Sequence, residues 1–338
     1  MPETRPRWQQ ALYFLLGIAA VALVGWIAMR FWPKPQLPDG WLRLAPPHDV
    51  MALVEYRGQI WSGGRDGVVV LDPDSGAILE EVEGDVPFDY VTGIIVSVQD
   101  NGLWVSHMRG VSLYDGTGWQ TLTAADGLTP GRALALAEGR DGALWIGTEG
   151  GVTHYRDGTY TRYTTADGLM TQGCACLFVD GQDRLWCGSG YTWEDGVSVF
   201  DGQRWQPMAQ LTQLAHPMLN AMLETEDGAL WFATGFSAEG GLSIHDGNTW
   251  RALTKEDGLA GSKVRSLFQD ESGAIWVSSE YNGTVRMTQG GLQSFTPKEG
   301  LAGWEVKAML QDSRGNLWLG TELGLTRISH EAWIALGE

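Results

Sequence analysis

An all-β chain folded as a seven-bladed β-propeller, with four short strands to a blade, is what this sequence predicts, and three observations carry the prediction. An apolar-Trp pair recurs seven times after a turn rich in Asp, Gly or Asn. The tryptophans stand at 61, 104, 145, 186, 231, 276 and 318, spaced 43, 41, 41, 45, 45 and 42 residues apart. Strand-length apolar runs broken by Asp-Gly turns fill the chain beyond residue 40, with no helical period after residue 32. A repeat in the low forties holding four strands is the arithmetic of a propeller blade.

The elements follow in chain order. Residues 1–10 form a short tail. Ala11 to Met29 are nineteen consecutive uncharged residues, enough at helical rise to cross the hydrocarbon core of a bilayer. Trp8 and Tyr13 lie toward one end of this run, and Trp26, Phe31 and Trp32 toward the other, where amphipathic rings favour the headgroup level. The expectation is one N-terminal transmembrane helix over 11–32, an uncleaved signal anchor. Ala20-Val21-Ala22 also has the small-residue pattern of a cleavage site, which leaves a cleaved signal peptide as the alternative. Pro33, Pro35 and Pro38 stop the helix and make 33–40 a stiff stalk. Basic residues are nearly balanced across the span, and the orientation favoured here places the N-terminus inside and the propeller outside the cytoplasm.

Residues 41–338 are the propeller. One unit shows the pattern: the apolar strand starting at Ala133, the turn Gly139 to Gly142, the strand Leu144 to Thr148, then Gly151 to Tyr155, Asp157-Gly158, and Tyr160 to Thr164. Burying an indole removes about 150–250 Å² from water, worth on the order of 4–6 kcal/mol as an upper bound. The seven repeat tryptophans therefore belong between blades. The Asp-Gly pairs supply turns that need positive φ and an Asx-type hydrogen bond. Both Trp41 to Leu44 and Trp333 to Leu336 resemble the outer strand Trp119 to Leu122, so either can complete the last blade and close the ring.

Composition excludes some functions. Lys and Arg number 23 against 41 Asp and Glu, a net charge of -18, which disfavours any hold on a nucleic acid backbone. The three cysteines, Cys174, Cys176 and Cys187, cannot staple the whole molecule. A turn centred between Gly181 and Gln182 sets Cys176 opposite Cys187, which makes that disulfide thinkable in an oxidising compartment, with buried free thiols as the alternative. No metal site or cofactor is expected. Nor is there a Gly-x-Ser-x-Gly elbow, a His-Glu-x-x-His, a phosphate loop or a dinucleotide fingerprint, and the six histidines are scattered. No catalytic residue is assigned.

The repeat, Leu144-Trp145-Ile146-Gly147-Thr148, then Gly110 to Gly116 with Trp119, then Asp126-Gly127-Leu128, Asp167-Gly168-Leu169 and Asp257-Gly258-Leu259, resembles the two-component regulator propeller repeat. The resemblance spans 41–338. It implies a sensor module outside the membrane, usually joined through a transmembrane helix to a histidine kinase and often recognising carbohydrate fragments. These residues contain no kinase and no linking β-sandwich, so binding or scaffolding is what carries over. A weaker likeness exists to streptogramin lyases, whose His and Glu pattern does not map onto this chain.

The b–c and d–a loops of a propeller share one face, and departures from the repeat there point to a site. From blade Trp to the matching residue of strand c the count is 10 in blades one, two, three and seven, 11 in blade six and 14 in blades four and five. The added residues include Tyr191, Trp193, Glu194, Phe236 and Glu239. Tyr281 and Asn282 lie in the blade-six b–c loop, with Trp304 on the following d–a loop. Aromatic faces beside carboxylates suit sugar rings or a peptide; equally, such aromatics cover the ends of longer hairpins. Arg65, His107 and Arg109 sit on the same face of blades one and two, as a surface ion-pair network or as partners of an anionic ligand. The leading reading is a membrane-anchored ligand-binding or sensor-like module. The second is a scaffold for a membrane protein partner such as a histidine kinase, and a propeller lyase or hydrolase ranks third.

Overall fold

The computed structural model describes residues 36–85, 87–189, 196–208 and 210–336. The predicted span 11–32 and the first three residues of the stalk, 33–35, lie outside them. Among the described residues no helix is long and apolar enough to cross a membrane.

Seven four-stranded antiparallel sheets follow one another, each with strand a innermost and strand d at the outer edge. The inner strands are Ala52–Tyr56, Val91–Ser97, Ala133–Glu138, Cys176–Val179, Leu219–Glu224, Val264–Gln269 and Val306–Gln311. The predicted blade count and tryptophan placement hold: each repeat Trp lies on strand b and is more than nine-tenths buried. Trp231 packs with Val264, Ile275 and Val277 of the next blade, so the indole seals one sheet to its neighbour.

The turn aspartates do more than turn. In blades four, six and seven the residue six before Trp is Asp180, Asp270 or Asp312, and its carboxylate accepts the indole N–H at 2.8, 2.9 and 2.8 Å. The other oxygen of Asp270 accepts the backbone N–H groups of Ser272 and Ala274, both at 3.0 Å. One carboxylate thus closes the a–b turn and satisfies a buried donor that would otherwise be costly. The Gly of Leu-Trp-x-Gly-Thr has a packing cause: a Cβ on Gly147 would strike the carbonyl of Cys174, and one on Gly320 would strike Val50, each two residues ahead of the next inner strand.

The ring closes through its N-terminus. Trp41–Leu44 is the outer strand of blade seven, with Trp41 opposite Ile328 and Leu44 opposite Leu325. The competing segment is not a strand. His330–Ile334 is a short helix whose N-cap, Ser329, accepts the N–H of Ala332, and the Trp333 indole donates to the Gly315 carbonyl at 2.6 Å. With Trp41–Leu44 already on the edge, no ladder position is left for it.

The cysteine register also differs from expectation. Leu177, not Cys176, stands opposite Cys187, and Cys176 faces Gly188, because the turn is centred on Gln182. That shift of one residue changes which side chains share a face. The disulfide joins Cys174 to Cys187, with Cα atoms 5.8 Å apart. Cys176 is a buried free thiol, which burial pushes up to about 12.

Candidate functional site

Aligning the seven inner strands, rather than the tryptophans, reveals a second regularity. Four residues before the strand-a partner of each Trp stands a buried apolar residue: Val50, Val91, Ala133, Cys174, Leu219, Val264 and Val306. The residues on either side of it vary around the ring. Blades four and five carry Gly173, Ala175, Met218 and Asn220 there, whereas blades six, seven and one carry Lys263, Arg265, Glu305, Lys307, Asp49 and Met51.

Flanking residues from blades one, two, three, six and seven line a cavity of about 400 Å³ on the face of the b–c and d–a loops, at the start of the inner strands. Its walls differ. Met51, Met108 and Leu134, from blades one to three, are its apolar side chains, with Tyr90 and Thr92 from blade two. Arg132, Lys263, Arg265, Glu280, Glu305 and Lys307 supply the charge.

The charges are tightly coupled. Lys307 Nζ contacts Asp49 at 2.5 Å and Glu305 at 3.2 Å, and Arg265 Nε contacts Glu305 at 3.2 Å. Lys263 pairs with Glu280, and Arg132 with Glu149 at 2.6 Å. Tyr90 donates to Asp49 at 2.8 Å and Arg65 reaches the same carboxylate at 3.2 Å. Burial pushes the Asp49 carboxyl up, but the hydrogen bonds of Lys307 and Tyr90, with the charges of Lys307 and Arg65, hold it below the usual range. Glu280 is held down in the same manner, against burial, by Lys263 and by the Tyr281 phenol.

Several residues singled out from the sequence meet at this mouth. The Lys263 ammonium lies 5.7 Å from the centre of the Phe236 ring. Tyr281 is 69% exposed, its phenol bonds Glu280, and its backbone holds a left-handed φ of 67°. Such a conformation is costly for a bulky residue and clusters at binding sites. Trp304 is 40% exposed, and its carbonyl accepts the N–H of Gly283 at 2.7 Å, which ties it to the Tyr281 turn. Asn282 lies against Gly261 and braces the turn. Glu239 pairs with Phe236 across a two-residue hairpin turn. In blade five the insertion therefore lengthens strands b and c, Leu230–Phe236 and Glu239–His245, and is not an irregular loop. Tyr191, Trp193 and Glu194 lie outside the described residues. The ion pairs at 49, 263, 265, 280, 305 and 307 escaped sequence reasoning, although the residues flanking the buried position of strand a carry the signal.

Arg65 and Arg109 form surface pairs as expected, Arg109 with Asp89 at 2.6 Å. His107 does not join them. It is fully buried at the third position after Trp104, where the other blades place Gly64, Thr148, Ser189, Thr234, Ser279 and Thr321. The backbone N–H of Arg109 donates to Nδ1 at 3.3 Å, so Nε2 carries the proton and donates to Ser112 Oγ at 2.9 Å. Burial, opposed by the charges of Asp85 and Asp89, pulls the imidazole down to about 4. The unfolded chain binds a proton here near pH 6.5 and the folded chain only near 4, so this group's stabilisation is complete above the first value and drains away as pH falls toward the second. Melting curves from pH 7 to 4.5 should show the wild type losing about 3 kcal/mol more than His107→Thr over that window. Parallel pH profiles would exclude a buried neutral imidazole.

A family model described as two component regulator propeller matches residues 127–150, 258–281 and 303–322. No curated protein matches the chain in sequence. Among solved structures, an extracellular domain assigned to a hybrid two component system of B. thetaiotaomicron is 17% identical with a TM-score of 0.74. That match covers 89% of this chain and 42% of the other, so the chain spans less than half of that relative. The virginiamycin B lyase of Staphylococcus aureus, solved with quinupristin, is 13% identical with a TM-score of 0.66, covering 85% of this chain and 97% of the lyase. YCF48 with a bound peptide is 16% identical with a TM-score of 0.63, covering 88% and 99%. At these identities the likeness is one of fold. The chain is thus a seven-bladed β-propeller of four-stranded sheets in which three segments, in three different blades, match the two component regulator propeller model.

Proposed function

We propose that this chain is a membrane-anchored, extracytoplasmic ligand-binding module, sensor-like in character, whose ligand enters the channel mouth between blades one to three and blades six and seven. The observation that carries the reading is the cavity itself, whose lining joins apolar residues of blades one to three to charged ones concentrated on blades six and seven, near the exposed Tyr281 and Trp304 and the ring of Phe236. Nearly buried ion pairs add little to stability compared with apolar packing, so their concentration at an opening fits recognition better than folding. The anchor is the apolar run 11–32, with 33–40 as its stalk. Placement outside the cytoplasm is supported by the Cys174–Cys187 disulfide, since such bonds persist in oxidising compartments. It is also in keeping with the extracellular relative of the same fold.

Carbohydrate-like and peptide ligands both suit exposed rings beside carboxylates, and a peptide is what YCF48 holds on a similar ring. A second reading, docking of a membrane protein such as a histidine kinase, is favoured by exposed apolar side chains at Met108, Tyr281, Trp304 and Leu323 on the loop face. The test is a thermal-shift panel of glycans and short peptides on the full chain and on a Tyr281→Ala/Trp304→Ala double variant. Ligands that raise the wild-type melting temperature and leave the variant unmoved are the expected result. A panel with no active member, together with crosslinking of a protein to this face in the native membrane, would replace the ligand reading with the docking one.

A further inference from the structure

The two walls of the mouth differ enough to name the class of ligand. Four cations (Arg132, Lys263, Arg265, Lys307) and two carboxylates (Glu280, Glu305) line it, 4 − 2 = +2. The propeller that surrounds it is strongly acidic: residues 41–338 hold 19 Lys and Arg against 39 Asp and Glu, 19 − 39 = -20. Behind the lining stand Asp49, Glu149, Glu322 and Arg65, +2 − 3 + 1 = 0, so the excess is confined to the lining itself. A concave, partly dehydrated opening focuses that excess.

We propose that the mouth takes a small amphipathic anion, a carboxylate on an aliphatic body, with the carboxylate between Arg265 and Lys307 and the body against Met51, Met108 and Leu134. The inference rests on reading the mouth as a ligand site. The Glu305 carboxylate occupies the position between those two cations. Its contacts to Arg265 and Lys307 are both 3.2 Å, long for charge-assisted pairs, whereas Lys307 keeps a 2.5 Å contact with Asp49. Lys307 is held by both Asp49 and Glu305, and Glu305 is the carboxylate that Arg265 and Lys307 share, the position an incoming carboxylate would compete for. An incoming anion lowers the charge of the lining from +2 to +1; a cation raises it to +3 and competes for carboxylates already paired with Lys263 and Arg265. Met108 and Leu134 stand on blades two and three, across the ring from Arg265 and Lys307, with Met51 on blade one beside the blade of Lys307.

Three matched probes separate the possibilities: N-acetyl-leucine as the anion, N-acetyl-leucinamide as its neutral counterpart and leucinamide as the cation. All are water-soluble and are titrated calorimetrically into the full chain. The anion should bind about tenfold tighter than the neutral probe, with the cation weakest. Arg265→Met should weaken the anion about tenfold, and Glu305→Gln, by removing the competing carboxylate, should tighten it several-fold. Both variants are first shown to melt as the wild type does. Two substitutions in one ion pair moving affinity in opposite directions cannot come from a structural role alone. Equal or tighter binding of the neutral or cationic probe overturns the anion inference and leaves the mouth standing as a site. Weakening by Glu305→Gln as large as that by Arg265→Met also overturns it. If none of the probes binds while members of the glycan and peptide panel do, only this inference falls; if nothing binds, the reading of the mouth falls with it.

Discussion

A chain truncated to begin at Ala45 should be destabilised by several kcal/mol, whereas one beginning at Gln36 should keep its stability. The nine residues between them contain the strand that closes the ring. Trp41 is nearly buried against Phe295, with ring centres 6.0 Å apart. Arg43 crosses to the neighbouring blade and donates to the carbonyls of Gly300 at 2.9 Å and Pro297 at 2.5 Å. Removing the strand uncovers Leu325 and Ile328, both fully buried, and leaves strand c of blade seven as a bare edge. The lost burial and ladder bonds amount to several kcal/mol, comparable to the roughly 5–15 kcal/mol that hold a domain folded. Scanning calorimetry should show the shorter chain melting about 10 °C lower, or aggregating. Equal melting would mean that 330–336 can unwind and take the empty edge, and that the two terminal segments are interchangeable.

Replacing Asp270 with alanine should destabilise the propeller by about 3–5 kcal/mol, more than Asp312→Ala. Both carboxylates hold an indole N–H and close a turn, but Asp270 also carries Arg286, whose Nε lies 2.9 Å away and whose side chain is 3% exposed. Burial pushes the Asp270 carboxyl up, yet its bonds from Ser272, Trp276 and Arg286 and the charge of Arg286 keep it ionised below the usual range. Alanine leaves that guanidinium buried without a counter-charge. At blade seven Arg327 donates to Asn316, not to Asp312, so only hydrogen bonds are lost and about 1–3 kcal/mol is expected. Urea denaturation gives both values. Arg286→Met in the Asp270→Ala background should restore part of the loss, because it removes the orphaned charge. No recovery would show that the turn and the indole bond, not the ion pair, carry the effect.

The blades were legible because everything that defines one is local. Leu144 to Thr148 and Gly151 to Tyr155 are joined by a tight turn, and a Trp on strand b marks every blade. Loop length singled out Phe236 and Tyr281, which the structure places beside Lys263 and Glu280 of the cavity lining. Short-range register was legible only to within a residue. Counting from a turn centred between Gly181 and Gln182 paired Cys176 with Cys187, and the one-residue difference in that turn moved the disulfide to Cys174. His107 looked like a rim cation by its neighbours, and only its burial beside Ser112 and Phe88 made it a neutral core residue.

The sequence by itself determined the repeat, the number of blades, the inward tryptophans and the loop face, since each follows from periodic patterns within a few dozen residues. Tertiary structure alone decided which terminus closes the ring and which charges share the mouth. Lys307 meets Asp49 across 258 positions of chain. That contact exists because the last blade is brought back against the first, and no local pattern encodes the angle at which seven sheets close a circle.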